Sequence, residues 1–140
     1  MPSGAIQWTE EMRVGVELVD NQHKRLIDLI NSVEVSMKLG QGREAQGKLL
    51  RALAEYAKFH FADEEAFMLH IGYPEYEKHK ALHAGFVWKV FEFNDNYLKH
   101  NALLSVEIMS YLKDWTVSHI LQHDGKIGSF LDSQSAAPER

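Results

Sequence analysis

Apolar residues recur at three- and four-residue intervals in four stretches of the chain, the spacing of one face of an α-helix. The first stretch carries Leu26, Ile27, Ile30, Val33 and Met37 and predicts a helix from about Asp20 to Leu39. Asp20 suits its N-cap, and Gly40 suits a left-handed stop. After the turn Gly40-Gln41-Gly42, a second helix is expected from about Arg43 to His70, with Leu49, Leu50, Leu53, Tyr56 and Ala57 on one face and Gly72 ending it. A third opens at Tyr73-Pro74, where proline fits a first turn. It carries Phe86, Val90, Phe93 and Tyr97 and breaks near His100-Asn101. A fourth starts near Leu103 and runs into the low 120s, extending as far as Phe130. Ahead of them residues 1–19 hold Ile6, Trp8, Val14, Val16, Leu18 and Val19 in loose alternation. With no second strand to pair with, this segment is expected to be an arm laid on the helices. Long helices joined by short turns run antiparallel, so the expected fold is all-α, an up-down-up-down four-helix bundle. The division is residues 1–19 as arm, 20–131 as bundle and 132–140 as a flexible tail.

Composition narrows the function classes. At 140 residues the chain is one domain with room for a core. A formal net charge of -5 provides no basic face for nucleic acid. No apolar run approaches the roughly 18 to 20 residues that span a bilayer, and Met1 to Glu11 do not read as a signal peptide. With 0 cysteines, disulfides, thiolate zinc sites, iron–sulfur clusters and cysteine catalysis are excluded. A cytoplasmic location is the default expectation.

The chain has 8 histidines, and their positions carry the argument. His23 opens the first helix. His60 and Glu64 lie four apart on the second, and His79 and His83 lie four apart on the third. His119, His123 and Asp124 lie on the fourth. Residues four apart on a helix point about 40° from each other, so each pair can address one ion. His23 shares the stripe of Leu26 and Ile27. His60 and Glu64 prolong that of Leu53, Tyr56 and Ala57, and His83 shares that of Phe86 and Val90. Imidazoles and carboxylates on inward faces are costly unless paired or bound to metal. Taken singly, each is more often a hydrogen-bonded core residue. Four helices doing this together point to one interior metal site. His70 and His100, near helix ends, are expected in solvent. The ligand set exceeds what one tetrahedral zinc needs and suits two ions bridged by carboxylates. Neither the H-E-x-x-H of zinc proteases nor the E-x-x-H of ferritin-like di-iron proteins occurs.

From Trp8 to about Leu131 the chain resembles the hemerythrin family. The resemblance rests on Val14-Gly15-Val16, Asp20-Asn21-Gln22-His23-Lys24, His60-Phe61 with Glu64-Glu65, Gly72-Tyr73-Pro74, His79, His83, Trp115, His119-Ile120 and Asp124. It implies two non-haem irons. His79, His83 and His119 would saturate one. His23 and His60 would hold the other, leaving a position open. Glu64, Asp124 and an oxo or hydroxo group would bridge them. It implies reversible binding of molecular oxygen at the open iron as hydroperoxide, with Thr116 and Ile120 facing the oxygen pocket. Two positions complicate the match. On a regular helix Asp124, five residues after His119, points about 140° away, and His123 aligns better. The family pattern selects Asp124, which requires a distortion near Gly125 such as a helix end or π-bulge. His123 is then an exposed neighbour. Thr116 stands where the family usually has a bulky aliphatic residue; its hydroxyl either acts in the pocket or bonds to the preceding turn of backbone. The competing readings are a di-iron enzyme reducing oxygen, peroxide or nitric oxide, and an oxygen-sensing module. An enzyme lacks an obvious substrate cleft, and no signalling domain is attached. An oxygen-consuming protein is a candidate partner of a carrier.

Overall fold

The four periodic stretches are four helical rods in a computed structural model that describes residues 5–100 and 106–135, the side chains of 43, 97–100 and 135 excepted. Helix α1 spans Glu17–Lys38, α2 Arg43–Ile71 and α3 Tyr76–His100. The fourth rod is α4 (Val106–Ser118), one π-helical segment (His119–Asp124) and α5 (Gly125–Ser135). A short 3-10 turn, Glu10–Met12, precedes them, and the described residues contain no strand. The end of the third helix expected near His100-Asn101 and the start of the fourth near Leu103 adjoin or fall on 101–105, outside the described residues.

Neighbouring rods are antiparallel. Gln22 and His60 meet across α1 and α2, which the turn at 39–42 joins. Glu65 meets His83 at one end of the α2–α3 contact, and Lys58 lies over Phe91 at the other. Glu34 pairs with Lys113 while His23 faces Asp124, which orients α1 against the fourth rod. The core runs between them through Leu26, Ile30, Val33, Leu50, Leu53, Ala57, Phe86, Val90 and Leu112, all essentially excluded from water. Burial of each large aliphatic or aromatic side chain in this row contributes about 1.5–3 kcal/mol before the entropy of ordering it is subtracted.

Some helix ends fall where the sequence places them and others do not. Asp20 is not an N-cap. Helix α1 begins at Glu17, and the Asp20 carboxylate, one turn in, accepts hydrogen bonds from the backbone N–H of Val14 (2.7 Å) and Gly15 (3.1 Å). It thus ties the incoming arm, which turns at Gly15 with φ 99°, to the helix. Gly72 ends α2 at φ 69°, and Tyr73 N–H reaches back to the Met68 carbonyl, as in a Schellman stop. Helix α3 starts at Tyr76, later than expected, because Tyr73 and Pro74 are spent on the turn. The fourth rod continues to Ser135, past the Phe130 expected as its far limit.

Residues ahead of Glu17 lie along the bundle. Ile6 exchanges two hydrogen bonds of 2.9 Å with the Asn31 side chain. Met12 packs with Ile27 and Ile120, and Val14 is buried beside Val19, Met68 and Ile127. At Gly128 the arm presses directly on α5: a Cβ there would lie 2.5 Å from the Val14 carbonyl oxygen. Only glycine admits that approach without moving backbone.

Candidate metal centre

The helix stripes deliver His23, His60, Glu64, His79, His83, His119 and Asp124 to one interior point, each at most 3 % exposed. Asp124 arrives there because the helix widens. Across His119–Asp124 the backbone bonds are π-type, so an extra residue fits into the turn and the fifth residue after His119 faces inward. His123 is rotated to the side and half-buried, less exposed than expected, with its ring 5.4 Å from that of His119. His70 is exposed, as expected. The side chain of His100 lies outside the described residues.

The two carboxylates divide their oxygens between two sets of histidines. Glu64 Oε1 lies 3.0 Å from both His79 Nε2 and His83 Nε2, while Oε2 faces His23 Nε2 at 3.4 Å and His60 Nε2 at 3.6 Å. Asp124 Oδ1 lies 2.9 Å from His79 Nε2 and 3.2 Å from His119 Nε2, and Oδ2 lies 2.9 Å from His23 Nε2. The result is a set of three imidazoles and a set of two, with each carboxylate reaching across both.

Several of these contacts are not hydrogen bonds. Both oxygens of Asp124, Oε2 of Glu64 and both ring nitrogens of His23 are buried without a hydrogen-bond partner among the described residues. His119 Nε2 lies 3.1 Å from the Nε2 atoms of both His79 and His83. His83 donates its Nδ1–H to Glu65 Oε2 at 2.9 Å, so as a neutral ring it presents a bare Nε2 lone pair to the centre. His60 donates its Nδ1–H to Gln22 Oε1 at 2.7 Å, with the same consequence. Gln22 is held in turn by donating from Nε2 to Asp63 Oδ2 at 2.9 Å. Lone pairs converging without donors repel one another unless a cation lies among them. Nitrogens 3.1 Å apart suit neighbouring corners of an octahedron with bonds of about 2.2 Å, close to metal–imidazole lengths. The residues fit metal, and the donor set of imidazole and carboxylate suits iron.

Aromatic faces fix the rings from outside. Phe61 stacks on His83 (3.9 Å between centroids, 7° between planes), and Trp115 stacks on His119 (4.4 Å, 9°). Without a cation the groups perturb each other strongly. Burial opposes charge on His23, but Asp124 and Glu64 outweigh it and raise its pKa to about 10. His79, likewise opposed by burial and overruled by the same two carboxylates, is raised to about 9. Burial dominates at His60, outweighs the pull of the Glu64 carboxylate, and lowers it to about 4. Burial pushes Glu64 and Asp124 upward, and at Glu64 the charge of Asp124 adds to it, yet the surrounding histidines hold both well below the usual carboxylate range.

Gln22 and Glu65, the outer partners of His60 and His83, received no role from the sequence. Each sits next to a metal-site residue in the chain and so points about 100° from it on the helix, which hides the link from any spacing rule.

Fold and site together define a metal-binding four-helix bundle with a binuclear cluster at its centre. A family model described as the hemerythrin HHE cation binding domain matches residues 14–131. The chain is 31% identical over 127 residues to the bacteriohemerythrin of Methylococcus capsulatus, covering 90% of this chain and 96% of that one. It is 30% identical over 121 residues to that of Clostridium acetobutylicum, covering 84% and 94%. A solved wild-type hemerythrin superimposes with a TM-score of 0.83 at 30% identity, covering 89% of this chain and 95% of that one. The chain belongs to the hemerythrin family, whose members hold a non-haem di-iron centre.

Proposed function

We propose that the chain binds molecular oxygen reversibly, as a carrier or store, at two irons held by His79, His83 and His119 on one side and His23 and His60 on the other, with Glu64 and Asp124 bridging. The observation that carries this is the division of both carboxylates between a set of three histidines and a set of two. An iron held by the smaller set, His23 and His60, would have a position left for one more ligand, which would be oxygen. When bound, the irons supply the electrons that oxygen takes up on binding and returns on release.

The chain's own residues do three things. Gln22 and Glu65 hold the tautomers of His60 and His83 so that both present Nε2 to the centre. Apolar side chains keep bulk water out: Met12, Ile27 and Ile120 form one buried cluster, with Trp8 and Val117 against it. Excluding water and protons favours release of oxygen as oxygen over leakage to reduced products. Thr116 and Ile120, both buried on the fourth rod, are the residues assigned to the oxygen pocket. Among the described residues the Thr116 hydroxyl has no hydrogen-bond partner, the preceding turn of backbone included, which leaves it for that pocket. Residual oxidase or peroxidase activity would be a leak through this point.

The test is optical. The iron-loaded, reduced protein is exposed to air and then purged with argon. A visible absorption band that appears and disappears through repeated cycles, with about two irons per chain by metal analysis, is the expected result. One zinc per chain, or a single irreversible oxidation, would overturn the reading.

A further inference from the structure

On the outside of the metal centre, α2 and α3 line an open, shallow apolar groove of about 420 Å³, a volume in the range of sites for small organic ligands. Two small residues, Ala62 on α2 and Ala84 on α3, leave the room, and Phe61 and Val87 contribute apolar floor. Trp88, 66% exposed, and Phe91, 41% exposed, form a wall that no part of the described chain covers. Such aromatic exposure on an otherwise charged surface marks a binding site more often than chance. Charge identifies the occupant. Lys58 and Lys80 stand toward opposite ends of the groove, and neither takes part in an ion pair among the described residues. Their ammonium groups lie over aromatic rings, Lys58 5.4 Å from the centre of Phe91 and Lys80 5.7 Å from that of Tyr76. In a chain of net charge -5, two unmatched cations flanking an apolar floor are a local inversion of sign. The one carboxylate in the groove, Glu65, is already bonded to His83.

We infer that this groove binds a small amphiphilic carboxylate, an apolar body with one anionic end, free in solution. The body lies on Phe61, Val87 and Trp88, and the anionic end pairs with a lysine. From Lys58 to Glu65 the groove runs about 10 Å along α2, which suits a medium-length acyl chain. The same groove is lined by Glu65 and His83. An anion placed there repels the Glu65 carboxylate and changes its hydrogen bond to His83 Nδ1–H. Occupancy is thereby reported to the metal centre; this last link rests on His83 being a ligand, whereas binding itself does not.

The experiment uses the iron-loaded full chain and octanoate as probe, followed by titration calorimetry, with 1-octanol as the neutral counterpart. One saturable site per chain is expected, with octanol weaker. Neutralising both lysines (K58Q with K80Q) should weaken octanoate about fivefold or more, as for loss of exposed ion pairs. Ala84→Leu, which fills the groove from a helix-compatible position, should abolish binding while leaving iron content unchanged. The exchangeable Nδ1–H resonance of His83 should shift on binding in the wild type. Absence of a saturable site, equal binding of octanol, or binding indifferent to the lysines and to Ala84→Leu would overturn the proposal. Binding without any shift at His83 would overturn the communication alone. Neither result touches the oxygen cycle measured above.

Discussion

At the scale of single residues, the outer partners matter as much as the ligands. His60 can present Nε2 inward only because Gln22 accepts its Nδ1–H, and Gln22 is itself braced by Asp63. Gln22→Ala removes the acceptor and lets the ring choose the wrong tautomer. Loss of such a partner typically costs roughly 10–100-fold in metal affinity. Competition with a chelator should show faster iron depletion in Q22A than in wild type, and equal retention would show that the amide does not orient the ring. Thr116 acts in the opposite sense. Its buried hydroxyl lacks a partner among the described residues and, in the proposed oxygen pocket, would donate a hydrogen bond or recruit water where dryness protects the oxygenated form. Thr116→Leu should therefore slow autoxidation by about 2–10-fold, the kinetic equivalent of one hydrogen bond. Decay of the oxygenated spectrum at fixed pH and temperature measures it, and unchanged or faster decay would mean that the hydroxyl stabilises bound oxygen or does not reach it.

At the scale of elements, the π segment reconciles two facts that a regular helix cannot hold together: Asp124 is five residues after His119, and both face inward. The bulge amounts to one inserted residue. Deleting the exposed Gln122 should close it into an ordinary turn, place Asp124 four residues after His119, and leave α5 in phase. The expected outcome is a protein that still holds about two irons; loss of iron would show that the widened turn itself is required. This position also marks how far the sequence could be read. The helical spacing around His23, His60, Glu64 and His83 was legible, because each shares a stripe with apolar neighbours whose burial is unambiguous, and His79 lies one turn from His83. Asp124 was legible only by family resemblance, since a 3.6-residue period assigns the inward place to His123. The helix starts were misplaced at Asp20 and Tyr73 because both residues serve the turn before the helix. Gln22 and Glu65 reach their histidines through side-chain length, which periodicity does not encode.

At the scale of the whole molecule, the buried ligands link metal content, pH and stability. Without metal, His23 and His79 are raised to about 10 and about 9 from 6.5. Their contribution to stability is complete below pH 6.5 and is lost as pH rises through about 9 to 10. His60 is lowered to about 4, so its contribution runs the other way and is lost as pH falls from 6.5 toward 4. The metal-free chain should therefore melt highest near neutrality and lower on both sides. Iron-loaded protein should melt higher than metal-free and stay level on the alkaline side, since its histidines are already neutral. Loading should also release protons from His23 and His79 near pH 7, detectable with an indicator dye. A metal-free melting curve indifferent to pH from 7 to 10 would contradict this account.

The arm is stapled at both ends of one gap. Through Val14 and Gly15 it is bonded to Asp20, three residues before His23, and through Val14 it rests on Gly128, four residues after Asp124. Any opening that lets an ion out by separating the first rod from the fourth must first peel this strap away. Its influence then falls on the escape rate of the ion more than on the depth of the well the ion sits in, because the strap contributes no ligand. Asp20→Ala, which releases the strap from α1, should speed iron loss to an excess of chelator several-fold more than it lowers the iron content at equilibrium. The residues around Val14, which supply no ligand, would in that case set how long one loaded molecule stays loaded.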